Sequence, residues 1–265
     1  MISLFTRRFR EEFHSLLSWS ITIFLSGMAI ILFGWFFTKN SDLAKDFAEM
    51  AESMPPFFLQ MLGGRDLADF SATFLMGMAF QTIAPLLLLV FSSLAIAGIY
   101  TREAGQGTLE FLFSLPVSRF RLIRSRILVF LANLGILHLL FYFGLITGIL
   151  GMGKTPDYAR LAWATAGLFL FYFALGGLAF LLSLTMNDYS RGILLVLGIL
   201  LGLFILNLGV ADAESALSIP NPYHYLDAAP ILRDGAVPWL NYLGFALSGL
   251  ALWAAGIGIY VRKQI

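Results

Sequence analysis

The stretch GILGMGKT, Gly148 to Thr155, fits the phosphate-cradling pattern G-x-x-x-x-G-K-[ST] at every required position. Such a loop binds nucleotide when a buried strand precedes it and a helix follows, so that backbone N–H groups and the lysine surround the phosphates. Here a long apolar run precedes it, and Pro156 stands where the helix should continue. No hydrophobic run ending in a Walker B carboxylate and no LSGGQ-like stretch accompanies it. The match reads as accidental, so no nucleotide cofactor is expected on this chain. Other chemistry is equally sparse. There is no H-E-x-x-H, no G-x-S-x-G and no cysteine, so no catalytic residue and no metal ligand is assigned. His14 and His224 fall outside the apolar runs. Inside them the polar residues are Gln81, Asn133, His138, Tyr142 and Asn207, of which His138 is the only histidine, acid or base. His138, Tyr142 and Asn133 are candidates for a substrate pathway, with Tyr142 one helical turn from His138 as its partner. A packing histidine held by one hydrogen bond fits His138 as well.

The elements that position these residues follow from composition. The 265 residues are 59% hydrophobic and 12% charged, with a mean hydropathy of +0.83, against about 45–50% apolar and about 25% charged in soluble domains. An all-α integral membrane protein is expected, built as one transmembrane domain over residues 1–265. The formal net charge of +1 suggests no nucleic-acid partner. Windows of about 20 apolar residues predict six spans, at about 16–38, 72–100, 126–152, 160–186, 191–210 and 239–261. Arg7, Arg8 and Arg10 precede the first, whose run is too long for a cleaved signal segment. Around them Leu4, Phe5, Phe9, Phe13, Leu16 and Leu17 fall near helical spacing, which fits an amphipathic N-terminal helix at the lipid interface. One set of loops holds Arg7, Arg8, Arg10, Arg102, Arg119, Arg121, Arg124, Arg126, Arg191, Arg262 and Lys263. The other holds Lys39, Lys45, Arg65, Lys154, Arg160 and Arg233, diluted by acids. The excess places both termini in the cytoplasm. Two outer loops, about 39–71 and 211–238, are expected to form short helices broken by prolines. Pro85 predicts a kink in the second span, and Gly144/Gly148 and Gly198/Gly202 have the spacing of close helix contacts.

The longest cytoplasmic connection runs from Tyr100 to Arg126. Gly105 and Gly107 break the second span, Thr108 offers an N-cap for a short helix, and Pro116 ends it. Ser118 can cap the third span, where Arg119, Arg121, Arg124 and Arg126 are expected at headgroup depth. The knobs Phe111, Phe113 and Leu115, with Glu103 and Glu110, suit a groove on a basic partner. Apolar residues beside arginines suit a membrane surface equally.

The stretch from Glu103 to Arg119, EAGQGTLEFLFSLPVSR, resembles the signature between the second and third spans of ABC-2 type permeases, the membrane subunits of type V ABC exporters. It departs from that family's E-R-E-x-G-T-L-E form by an apparent insertion at Gln106-Gly107. The resemblance implies that residues 107–116 form a coupling helix docking on a cytoplasmic ABC ATPase pair. Glu103, Gly107, Thr108, Glu110, Phe111, Phe113, Leu115, Pro116, Ser118 and Arg119 would make that contact. ATP and Mg would be bound by the ATPase and not by this chain, and a second permease subunit, identical or paralogous, would complete one pathway through a prokaryotic-type inner membrane. The competing reading is an ATP-independent channel or scaffold.

Overall fold

The computed structural model describes residues 2–40, 76–105, 118–209 and 219–263, with Asp42, Asp46, Glu49 and Met50 between the first two stretches. All of the regular structure in them is helical. The long elements are α1 (Ile2–Lys39), α2 (Ala84–Gly105), α3 (Arg119–Gly151), α4 (Tyr158–Ser183), α5 (Tyr189–Gly209) and α7 (Trp239–Arg262), with a short α6 (Ala229–Asp234) before the last. Six helical stretches are long and apolar enough to cross a membrane, the second running from Met76 to Arg102. The predicted spans are recovered with shifted ends. The first and third begin earlier than expected, at Phe9 and Arg119; the third does so because Ser118 takes the N-cap role and its Oγ accepts the Arg121 amide at 3.3 Å.

The amphipathic N-terminal segment is helical and continuous with the first span. At 38 residues, α1 is about 57 Å long, nearly twice the roughly 30 Å hydrocarbon core. Its buried positions Leu16, Ile23, Ile30 and Ile31 form one stripe against α3. Small residues make that contact intimate. A Cβ on Gly144 would lie 2.4 Å from the Phe24 carbonyl oxygen, and one on Gly148 would lie 2.8 Å from Ile31 Cβ, so glycine is what lets these two backbones touch.

The helix α7 packs on α4 in a related way. A Cβ on Gly249 would meet the Phe173 ring at 2.5 Å, and one on Gly256 the Phe180 ring at 2.6 Å. Two hydrogen bonds fix the register: Trp253 Nε1 donates to the Phe173 carbonyl at 2.9 Å and Tyr242 Oη to that of Trp163 at 2.5 Å. The middle of the bundle is α2, α3 and α4, with α5 laid on α2 and α4. The kink predicted at Pro85 takes the form of a π-helical turn over Ala79–Ile83 just before it. Proline has no N–H to give to the fourth carbonyl behind it, and the widened turn absorbs the mismatch. The Pro85 carbonyl accepts from the buried Tyr172 hydroxyl, which ties this turn to α4.

The nucleotide-like stretch is a helix ending. Gly148 is buried against α1, and Gly153 has φ +72. The Gly153 and Lys154 amides bond back to the carbonyls of Leu150 and Ile149, at 2.9 and 3.3 Å. These are the paired bonds of a Schellman cap, which needs glycine at its left-handed residue.

Candidate functional site

The two flanks of the segment read as a coupling helix are well described. At its entry, α2 is described as far as Gly105, where an added Cβ would sit at ordinary contact distance, 3.5 Å, from the Tyr189 nitrogen of the α4–α5 turn. At its exit, Arg119 donates from its guanidinium to the Lys263 carbonyl at 2.7 Å. Lys263 in turn donates from Nζ to the Leu184 carbonyl at 2.7 Å, and its ammonium stands 4.2 Å from the Tyr100 ring centre. Tyr100 Oη donates to Asn187 at 3.1 Å. The ends of four spans and the C-terminal segment are thereby tied at one end of the bundle, with residues 106–117 strung between two of the tied points. The predicted contact residues Gly107, Thr108, Glu110, Phe111, Phe113, Leu115 and Pro116 lie outside the described residues. Glu103 is within α2, and of its side chain nothing is described. Ser118 and Arg119 are placed as above.

Next to this tied end is a polar cavity of about 250 Å³ among α1, α2, α3 and the start of α5. The sequence reading missed it. Arg121 and Arg124 are exposed, as expected of residues at headgroup depth. Arg126 is the exception: only 7% exposed, it turns inward and donates to the Ile99 carbonyl at 2.5 Å. Asn133, two turns further along the same face, donates from Nδ2 to a Glu12 carboxylate oxygen at 3.1 Å. Arg102 lies over the Tyr189 ring and donates to its hydroxyl at 3.2 Å. Aromatic walls come from Trp19, Phe91 and Phe130. The signal that could have found this site is the stripe Arg126, Phe130, Asn133, Leu137, Phe141, which recurs at 3–4 residues and carries its polar members inward.

The other two pathway candidates are elsewhere. His138 is buried between α3 and α4, its Nδ1 2.7 Å from the Leu134 carbonyl and its ring edge-on to Phe169. Tyr142 Oη donates to the Tyr158 carbonyl at 3.3 Å and not to His138. Neither borders the polar cavity or the larger apolar groove of about 590 Å³, formed by α4, α7 and the loop residues Pro220, Pro222 and Tyr225. At the far end of the bundle Arg160 ties the start of α4 to the end of α6, donating to the Leu232 and Arg233 carbonyls at 3.1 and 2.8 Å.

These observations describe a six-span helical bundle with an anchored connection at one end and a polar cavity beside it. The family described as multidrug efflux system permease Rv1217c, C-terminal domain, matches residues 4–260. The chain belongs to that family. No curated protein and no solved structure matches it. Membership in this efflux permease family bears out the resemblance to ABC-2 type permeases seen at Glu103–Arg119, and with the six apolar helices it makes the chain a multi-pass membrane protein.

Proposed function

We propose that this chain is the membrane-embedded subunit of an ATP-driven multidrug exporter. A pair of such subunits would enclose one pathway, and a separate ATPase pair would drive it through residues 107–116. The tied end, with both termini, faces the cytoplasm in this reading. The excess of Lys and Arg in the loops on that side supports the orientation. The observation that carries the proposal is the double anchoring of the connection. A short segment that leaves α2, tied at Tyr100 to Asn187 of the α4–α5 turn, and enters α3 at Arg119, tied to Lys263, cannot move far without moving spans two and three. Such a segment is a lever, and the bundle above it is the two-state element that a nucleotide-driven partner would bias.

The permease supplies no bond-breaking group in this account. Its work is to bind cargo differently in two arrangements, while ATP and Mg are held by the partner. In the complex with its ATPase, Glu110→Arg and Pro116→Gly are expected to lower cargo-stimulated ATP hydrolysis several-fold, while membrane insertion stays intact. The first puts like charge against a basic groove and the second releases the end of the short helix. Unchanged stimulation in both variants would remove residues 107–116 from their assigned role.

A further inference from the structure

The groove between α4 and α7 has a definite depth and a definite chemistry. Its α7 wall runs from Leu240 through Gly244 and Ser248 to Leu252, and its floor is the stretch of α4 from Phe171 to Leu178. The helical rise from Leu240 to Leu252 is about 18 Å, close to the roughly 15 Å that one leaflet contributes to the hydrocarbon core. At its loop end stand the exposed rings of Tyr225 and Trp239, with Trp163 5.0 Å from Trp239 between ring centres. Such a belt lies at the membrane–water interface, so the groove starts there and ends near the middle of the bilayer. No acid or base lines it, and its polar side chains donate to the protein: Asn241 Nδ2 to the Tyr225 carbonyl at 3.0 Å, Tyr225 Oη to that of Ile219 at 3.0 Å and Ser248 Oγ to that of Phe245 at 3.3 Å. A charged occupant would find no partner of opposite charge there. Gly244 keeps the groove open. A Cβ on it would meet nothing within 4 Å, whereas one on Gly249, further round α7, would strike the Phe173 ring at 2.5 Å. The helix is therefore closed on α4 along one side and stands away from it along the next.

We propose that this groove holds one acyl chain of a phospholipid from the leaflet at its loop end, as a retained lipid and not as passing solvent. Lipid tails are as apolar as leucine side chains, so apolarity alone selects nothing here. What retains the chain is contact with α4, with α7 and with Pro220 and Pro222 of the loop at once, where the plain face of a span offers contact on one side only. The proposal does not rest on the exporter reading.

The test photolabels the full chain in nanodiscs of phosphatidylcholine that carries a diazirine on one acyl chain, and maps the labelled residues by mass spectrometry. Labelling along Leu240–Leu252 and Phe171–Leu178 should exceed several-fold that of Ile205 and Leu206, exposed apolar residues of α5. Gly244→Leu, which fills the groove, should bring the two to the same level. Gly198→Leu, at an equally open glycine of α5, should leave groove labelling unchanged. If Gly244→Leu does not fold, Ser248→Leu carries the same expectation. Equal labelling of the groove and of α5 in the native chain would overturn the proposal, and so would groove labelling that survives the filling variant. Displacement of the label by pyrene at a small fraction of the lipid concentration would overturn it too, since the groove would then take rigid apolar cargo in place of a chain. No ATPase enters the experiment, so its failure leaves the driven-exporter reading standing, and absence of an ATPase partner leaves the labelling result standing.

Discussion

Gly144 and Gly148 in α3 have the same spacing as Gly198 and Gly202 in α5, yet the structure uses the two pairs in opposite ways. The first pair lies against the backbone of α1, with no room for even one methyl group. Around the second pair an added Cβ would meet nothing within 4 Å among the described residues. Small residues permit close approach between membrane helices, and they do not compel it. What decides is the opposing surface: α1 presents Phe24, Gly27 and Met28 to α3, whereas α5 meets α2 near Thr101 through Gly192 and leaves its glycine face open.

The largest effect that tests this contrast is Gly144→Ala. Its methyl would strike a carbonyl oxygen that cannot rotate away, so the helices must separate, at a cost of about 3 kcal/mol or more. Gly198→Ala should change stability by less than about 0.5 kcal/mol within a single chain. Thermal unfolding of both variants in the same nanodiscs checks this, and similar shifts would break the comparison. Gly167→Ala sharpens it. The added methyl would meet the Tyr242 side chain at 2.3 Å, and a side chain can move where a backbone cannot. The expected loss is smaller, about 1–2 kcal/mol, including the Tyr242 hydrogen bond to Trp163. In an otherwise native chain, Tyr242→Phe should by itself reproduce about 1 kcal/mol of that loss. The smallest effect belongs to Gly153→Ala. It strains a left-handed helix cap by about 1 kcal/mol and should leave ATP binding and hydrolysis by the assembled complex unchanged. Altered nucleotide binding there would revive the phosphate-loop reading of Gly148 to Thr155.

Much of the fold was legible because long apolar runs leave few alternatives: a backbone crossing lipid must satisfy its own hydrogen bonds, and helices do so. The Gly144/Gly148 contact and the Ser118 cap were readable from spacing and residue type. The cavity was not. Arg126 stands beside Arg119, Arg121 and Arg124 in the chain, and all four fit a headgroup layer by composition. Only the rotational phase of α3, fixed by α1 and α2 packing on it, turns Arg126 inward and brings Asn133 to Glu12, 121 residues earlier in the sequence. His138 illustrates the converse. Its type suggested a functional group, and the structure buries it between α3 and α4, with Nδ1 at the Leu134 carbonyl and away from the polar cavity. The anchoring of Arg119 on Lys263, 144 residues away, was equally invisible, since nothing in either residue's neighbourhood announces the other.

An exporter subunit of this kind works only with an ATP-binding partner. The decisive measurement is the intact mass of the complex drawn gently from native membranes through a tag on this chain, with nucleotide binding assayed on the same sample. Two permease chains with two copies of a soluble, ATP-binding chain are predicted, and the masses will say whether the two permeases are identical. Recovery of this chain alone, in repeated preparations under mild conditions and without bound nucleotide, would contradict the driven-exporter reading and favour a channel or scaffold.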